Sequence, residues 1–99
     1  MRCYCNVLSV PRFNNGTVCS VRNVTSNSVD ISWPAVKGAT RYTYRYGSES
    51  VVPDRTTTTT SVNVGDLTPA TDYWFLVVVH GANGEGNIVT CRATTGSHF

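Results

Sequence analysis

From Thr17 onward the chain runs as short stretches in which apolar and polar residues alternate, each closed by turn-forming residues. Cys19, Val21 and Val24 lead into the polar turn Thr25-Ser26-Asn27-Ser28, after which Val29, Ile31 and Trp33 alternate with Ser28, Asp30 and Ser32. Pro34 stops that strand and Lys37-Gly38 makes a turn. Tyr42, Tyr44 and Tyr46 then alternate with Arg41, Thr43 and Arg45, which predicts a half-buried strand with tyrosines on one face and arginines on the other. The segment from Gly47 to Thr60, with Pro53-Asp54 and the run Thr56 to Thr60, has no apolar alternation and predicts an edge strand and loop. Val62, Val64 and Leu67 resume the pattern. The run from Tyr73 to His80 is the strongest strand, Gly81 to Gly86 turns it with a hairpin signal at Asn83-Gly84, and Val89, Cys91 and Ala93 alternate in the last strand. Residues 1–16, with Pro11 and an Asn-Asn-Gly cluster, show no sustained period and read as an irregular leader. Seven short strands bounded by turns predict an antiparallel sandwich.

Composition supports this reading. Val and Thr supply 29 of the 99 residues and the good helix formers only 19, which favours an all-β domain. The length suits one domain. A net charge of +2 with 14% charged residues is too weak for a nucleic-acid arm or a polybasic membrane patch. The longest apolar run, Tyr73 to Val79, is far shorter than the roughly 20 residues of a membrane-spanning helix. The first residues lack the continuous apolar stretch of a secretory signal, so if the protein is secreted its signal lies outside this stretch and Met1 reads as an expression start.

Three segments in order carry a resemblance: Ser28-Val29-Asp30-Ile31-Ser32-Trp33, then Tyr42-Thr43-Tyr44-Arg45-Tyr46, then Leu67-Thr68-Pro69-Ala70-Thr71-Asp72-Tyr73. In the last, a tyrosine sits where a sandwich strand begins, and its phenol can hydrogen-bond to the chain a few residues upstream. Over about residues 17 to 95 the sequence resembles a fibronectin type III domain, with residues 1–16 as leader and 96–99 as tail. The resemblance implies a seven-stranded, immunoglobulin-like β-sandwich. Its strands would be A at about 17–24, B at 28–33, C at 40–46, C′ near 49–55, E at 59–64, F at 72–80 and G at 87–95, in sheets ABE and C′CFG. It further implies that Trp33, Tyr42, Tyr44, Leu67, Tyr73, Phe75 and Val77 are core. Family members serve as spacers and protein-binding modules without enzymatic activity. The family's Arg-Gly-Asp motif is absent between strands F and G, so integrin binding by that route has no support.

The cysteines depart from the family, whose members usually have no disulfide. Cys19 and Cys91 fall on inward positions of A and G, which the resemblance places at one open side of the sandwich, so a bridge between them is expected; the alternative is two buried thiols acting as small hydrophobes. Cys3 and Cys5 are two apart, a spacing that strains a mutual bond, which leaves them Cys19 and Cys91, partners outside this stretch, or each other across a dimer. The four cysteines with His80 and His98 match no common zinc spacing, the six carboxylates are scattered, and no phosphate-cradling glycine loop leads into a helix. No cofactor, metal or catalytic residue is expected. Asn15-Gly16-Thr17 and Asn23-Val24-Thr25 are glycosylation sequons, so Asn15 and Asn23 are candidate glycan carriers. An O-glycosylated threonine tract at Thr56 to Thr60 lacks proline-rich flanks and is the weaker reading.

If Tyr73, Phe75, Val77 and Val79 face the core, Trp74, Leu76 and Val78 face outward. Beside them lie Arg41, Thr43 and Arg45 of one neighbouring strand and Thr90, Arg92 and Thr94 of the other. An apolar stripe rimmed by Arg41, Arg45 and Arg92 is the candidate binding surface, for a protein partner or for self-association through the C and F strand face. The competing reading is that arginine stems merely cover the Trp74 ring. The loops Ala35 to Gly38 and His80 to Asn87 are a further candidate for recognition. The function expected is a non-catalytic extracellular or cell-surface interaction module of the adhesion or receptor kind, with neither nucleic acid nor membrane insertion. The alternative is a structural spacer in a tandem array or attached to a secreted enzyme.

Overall fold

The structure is a computed structural model and describes residues 10–48 and 54–97. Within them seven strands form two antiparallel sheets: β1 (Ser20–Arg22), β2 (Val29–Ser32), β3 (Ala39–Gly47), β4 (Arg55–Thr57), β5 (Ser61–Val64), β6 (Asp72–Gly81) and β7 (Gly84–Thr94). One sheet has the order β1-β2-β5 and the other β4-β3-β6-β7, as expected for ABE and C′CFG. The expected positions of Cys3 and Cys5, and most of the expected C′ strand, lie outside the described residues; the part of that edge that is described pairs Arg55–Thr57 with β3.

The sheets are held by alternation. Val29 and Ile31 of β2 meet Phe75, Val77 and Val79 of β6, and all five are essentially without solvent exposure. Trp33, Tyr42, Tyr46, Val64, Leu67, Tyr73 and Val89 complete the centre, and Tyr44 is half-buried against it. Trp33 packs edge-on against Tyr42 with ring centroids 5.5 Å apart. At the crossover before β6 the Thr68 N–H donates to the Tyr73 hydroxyl at 2.8 Å, the corner bond that the position of this tyrosine foretold.

Cys19 and Cys91 form a disulfide with a Cα–Cα distance of 5.3 Å, joining the segment before β1 to β7. The Cys19 N–H also donates to the Thr90 carbonyl at 3.4 Å. The bond spans a sequence separation of 72. A closed loop of that length lowers the entropy of the unfolded chain by an amount worth about 4 kcal/mol.

One expectation is corrected. Strand G begins at Gly84, not near residue 87, and the turn is the two-residue loop Ala82-Asn83 between paired Gly81 and Gly84, not the whole of Gly81 to Gly86. The glycines there serve close packing and a left-handed turn residue, Gly84, with φ of 127°. The described part of the leader, residues 10–16, has neither strand nor helix, ends in a turn at Asn15-Gly16, and packs against the domain. Phe13 is buried with its ring 6.3 Å from that of Tyr42. Its N–H donates to Asn87 Oδ1 at 2.7 Å, and Asn87 Nδ2 donates back to the Phe13 carbonyl at 3.1 Å. Buried Pro11 lies between Gly81 and Gly86: a Cβ at Gly81 would stand 2.4 Å from Pro11 Cδ, and one at Gly86 1.7 Å from the Pro11 carbonyl oxygen. A glycine-lined notch with a proline in it has no apolar period, so pattern reading passes over it.

On the outer face of the smaller sheet the Asp30 carboxylate accepts hydrogen bonds from Asn23 Nδ2 and Asn63 Nδ2, each at 2.7 Å. These bonds, the one from Asn23 foremost, favour the charged form and hold the Asp30 carboxyl below its ordinary pKa.

Gly86→Ala is expected to expel Pro11 from its notch and lower the thermal midpoint by about 4–8 °C for each kcal/mol of overpacking, with faster proteolysis between Val10 and Thr17; an unchanged midpoint and unchanged cleavage would show that the leader is not seated. Because the folded carboxyl of Asp30 titrates below its unfolded value, its contribution is present above about pH 4 and lost as pH falls through the lowered pKa. Asp30→Asn is therefore expected to lower the urea midpoint at neutral pH and to flatten its decline in acid; a parallel decline in both proteins would contradict the assignment.

Candidate functional site

The outer face of the larger sheet is set by the register of β3, β6 and β7. Opposed residues in an antiparallel pair point to the same side, so outward side chains form rows across the sheet. The first row is Gly47, Trp74 and Arg92; the second is Arg45, Leu76 and Thr90; the third is Thr43, Val78 and Ile88; the fourth is Arg41, His80 and Glu85. Trp74, Leu76 and Val78 are brought together as expected, each half-buried on the water-facing side. Ile88 is 48% exposed and extends the stripe onto β7. It was legible in the sequence, since its neighbour Val89 is an inward residue, but the glycine-rich stretch before it hid where β7 begins.

The three arginines are not equivalent. Arg45 Nε donates to Asp54 Oδ1 at 2.5 Å across the β3 edge. This hydrogen bond holds the Asp54 carboxyl below its ordinary range and raises the Arg45 guanidinium, so the pair is charged and mutually neutralised. Among the described residues Arg41 and Arg92 have no carboxylate partner, and both are exposed. The ring–ring contacts among the described residues are the core pairs of Phe13, Trp33 and Tyr42 and of Tyr46 and Phe75, and Trp74 takes part in none of them. Trp74, Arg92 and Asp72 share an open depression of about 560 Å³ with Ser48 and residues of the segment before β6. The Asp72 carboxylate accepts a hydrogen bond from the Thr94 hydroxyl.

At the other end of the face, His80 is buried and its Nε2 lies 2.8 Å from Thr43 Oγ1. Beyond it, the loop His80 to Asn87 is narrower than expected, and Pro11 and Phe13 already occupy its flank. What stays open there is a depression of about 290 Å³ between the leader, with Arg12 and Phe13, and the turn with Pro34, Val36 and Lys37.

Both sequon asparagines are exposed. Asn15 lies at a turn closed by the Thr17 N–H donating to the Asn14 carbonyl at 3.1 Å. Asn23 adopts a positive φ of 51° and uses its amide nitrogen on Asp30. Among the described residues no group of three or more His, Cys, Asp or Glu side chains is placed to hold a metal ion.

A model of the fibronectin type III domain matches residues 16–92. Among solved structures the chain is similar to FN3tt, with a TM-score of 0.76 and 24% identity over 91% of this chain and 99% of that one. It is similar to the fn3 domain of the human collagen alpha-1(XX) chain, with a TM-score of 0.73 and 22% identity over 92% of this chain and 88% of that one. It also resembles domains d3-d4 of the rat CD45 extracellular region, with a TM-score of 0.74 and 23% identity over 88% of this chain and 51% of that one. A comparison with curated proteins returns no match. With the match spanning most of the sequence and both sheets ordered as the resemblance implied, the chain belongs to the fibronectin type III domain family.

Proposed function

We propose that this domain is a non-catalytic protein-interaction module of an extracellular or cell-surface protein, of the adhesion or receptor kind, and that it binds through the outer face of β3, β6 and β7. The observation that carries this reading is the apolar stripe. An antiparallel sheet with one face in water normally alternates apolar-in and polar-out. Here Trp74, Leu76, Val78 and Ile88 stand contiguously on the water-facing side. Tryptophan and arginine are enriched where binding energy concentrates, and Trp74 stands beside exposed Arg92.

Support for the location comes from chemistry. A disulfide persists in oxidising compartments and is rare in the cytosol, and Cys19 is joined to Cys91. The solved relatives include a domain from the rat CD45 extracellular region. In such a compartment the exposed Asn15 and Asn23 are the glycan acceptors.

A tetramer of the biotinylated domain is expected to stain cells bearing its partner, and Trp74→Ala to reduce that staining by about tenfold or more while the thermal midpoint stays within a few degrees. Equal staining by the folded variant would contradict the binding face and return the domain to the role of spacer.

A further inference from the structure

We infer that the same face is self-complementary and that two copies of this domain pack it together with their β6 strands antiparallel, Arg92 of each copy meeting Glu85 of the other. The inference rests on the reading of this face as an interaction surface and names a partner for it.

The argument is one of charge and shape along the four rows. Consider a two-fold axis in the plane of the interface, perpendicular to the strands and midway between Leu76 and Val78. It brings the first row of one copy over the fourth row of the other, and the second over the third. Leu76 then faces Val78 of the second copy, and Thr90 faces Ile88. The row of Trp74 and Arg92 faces the row of His80 and Glu85. Arg92 and Glu85 are both exposed, opposite in charge, and without an ion-pair partner in their own copy among the described residues.

The remaining cations meet no like charge. Arg41, in the fourth row, faces Gly47 of the first, where no side chain stands in its way. Arg45 is neutralised by Asp54 and faces Thr43. Shape follows the same order, because Trp74, the largest outward side chain, faces the smaller His80, which is itself buried. Large against small is how facing sheets interdigitate. The other two-fold, with its axis along β6, also pairs opposite charges, Arg41 with Glu85, but it stacks Trp74 on Trp74 and His80 on His80, setting the largest side chain against itself.

A patch of about a dozen residues on each side is below the 20–30 of a stable complex, so the dimer is weak and suited to clustering on a surface where copies are concentrated. Sedimentation equilibrium of the whole chain, over a series reaching about 1 mM, tests it. The wild type is expected to dimerise reversibly and less tightly as salt rises. Arg92→Glu and Glu85→Arg should each weaken the dimer by about tenfold or more, and the double variant should recover most of the loss. A wild type that stays monomeric throughout overturns the inference, while cell staining still reads the binding of other partners. Rescue of Glu85→Arg by Arg41→Glu, and not by Arg92→Glu, overturns the antiparallel arrangement.

Discussion

A sandwich of seven strands is open along the side where its first and last strands approach, because the ladders of the two sheets do not run continuously across that gap. In this domain the Cys19–Cys91 disulfide closes it, at the point where the segment before β1 meets β7. Its calculated worth of about 4 kcal/mol is a large share of the roughly 5–15 kcal/mol by which domains are stable. The bond also fixes the path of the preceding chain. With Cys19 tied to β7, the leader runs beside that strand, Phe13 reaches the core next to Tyr42, and Pro11 reaches Gly81 and Gly86. One covalent contact thus organises the open side, covers part of a sheet edge and completes one end of the core.

The same closure determines which surfaces remain for binding. Loops at one end of a sandwich often carry recognition, but here the β6–β7 hairpin is short and Pro11 and Phe13 lie against it. The broad outer face of β3, β6 and β7 carries the half-buried apolar stripe on which the proposed binding role rests. The Arg45–Asp54 pair reduces the positive charge beside the stripe, which leaves Arg41 and Arg92 there without a carboxylate partner among the described residues.

Much of this was legible because strands obey a period of two. The inward residues Val29, Ile31, Phe75, Val77 and Val79, the outward Trp74, Leu76 and Val78, and the corner tyrosine at position 73 all follow from alternation and spacing. The partners of Cys19 and Cys91 followed once the strands were placed in a family order. What pattern did not reveal was built from contacts without a period. Phe13 is one apolar residue between polar neighbours, and Pro11 finds room only because Gly81 and Gly86 lack side chains. The Asn87 clasp on Phe13 joins residues 74 apart in sequence through a side-chain amide. The start of β7 was masked by glycines that usually signal a loop, although here they sit in paired positions. The pairing of Arg45 with Asp54 depended on how β3 meets its edge strand, which the threonine-rich stretch does not encode by alternation.

The central claim is that the open side of the sandwich is covalently closed, and peptide mapping of the protein from an oxidising host without reduction tests it most directly. The account predicts a linked pair of peptides containing Cys19 and Cys91. Recovery of both residues as alkylated free thiols, or each joined to a different cysteine, would contradict it.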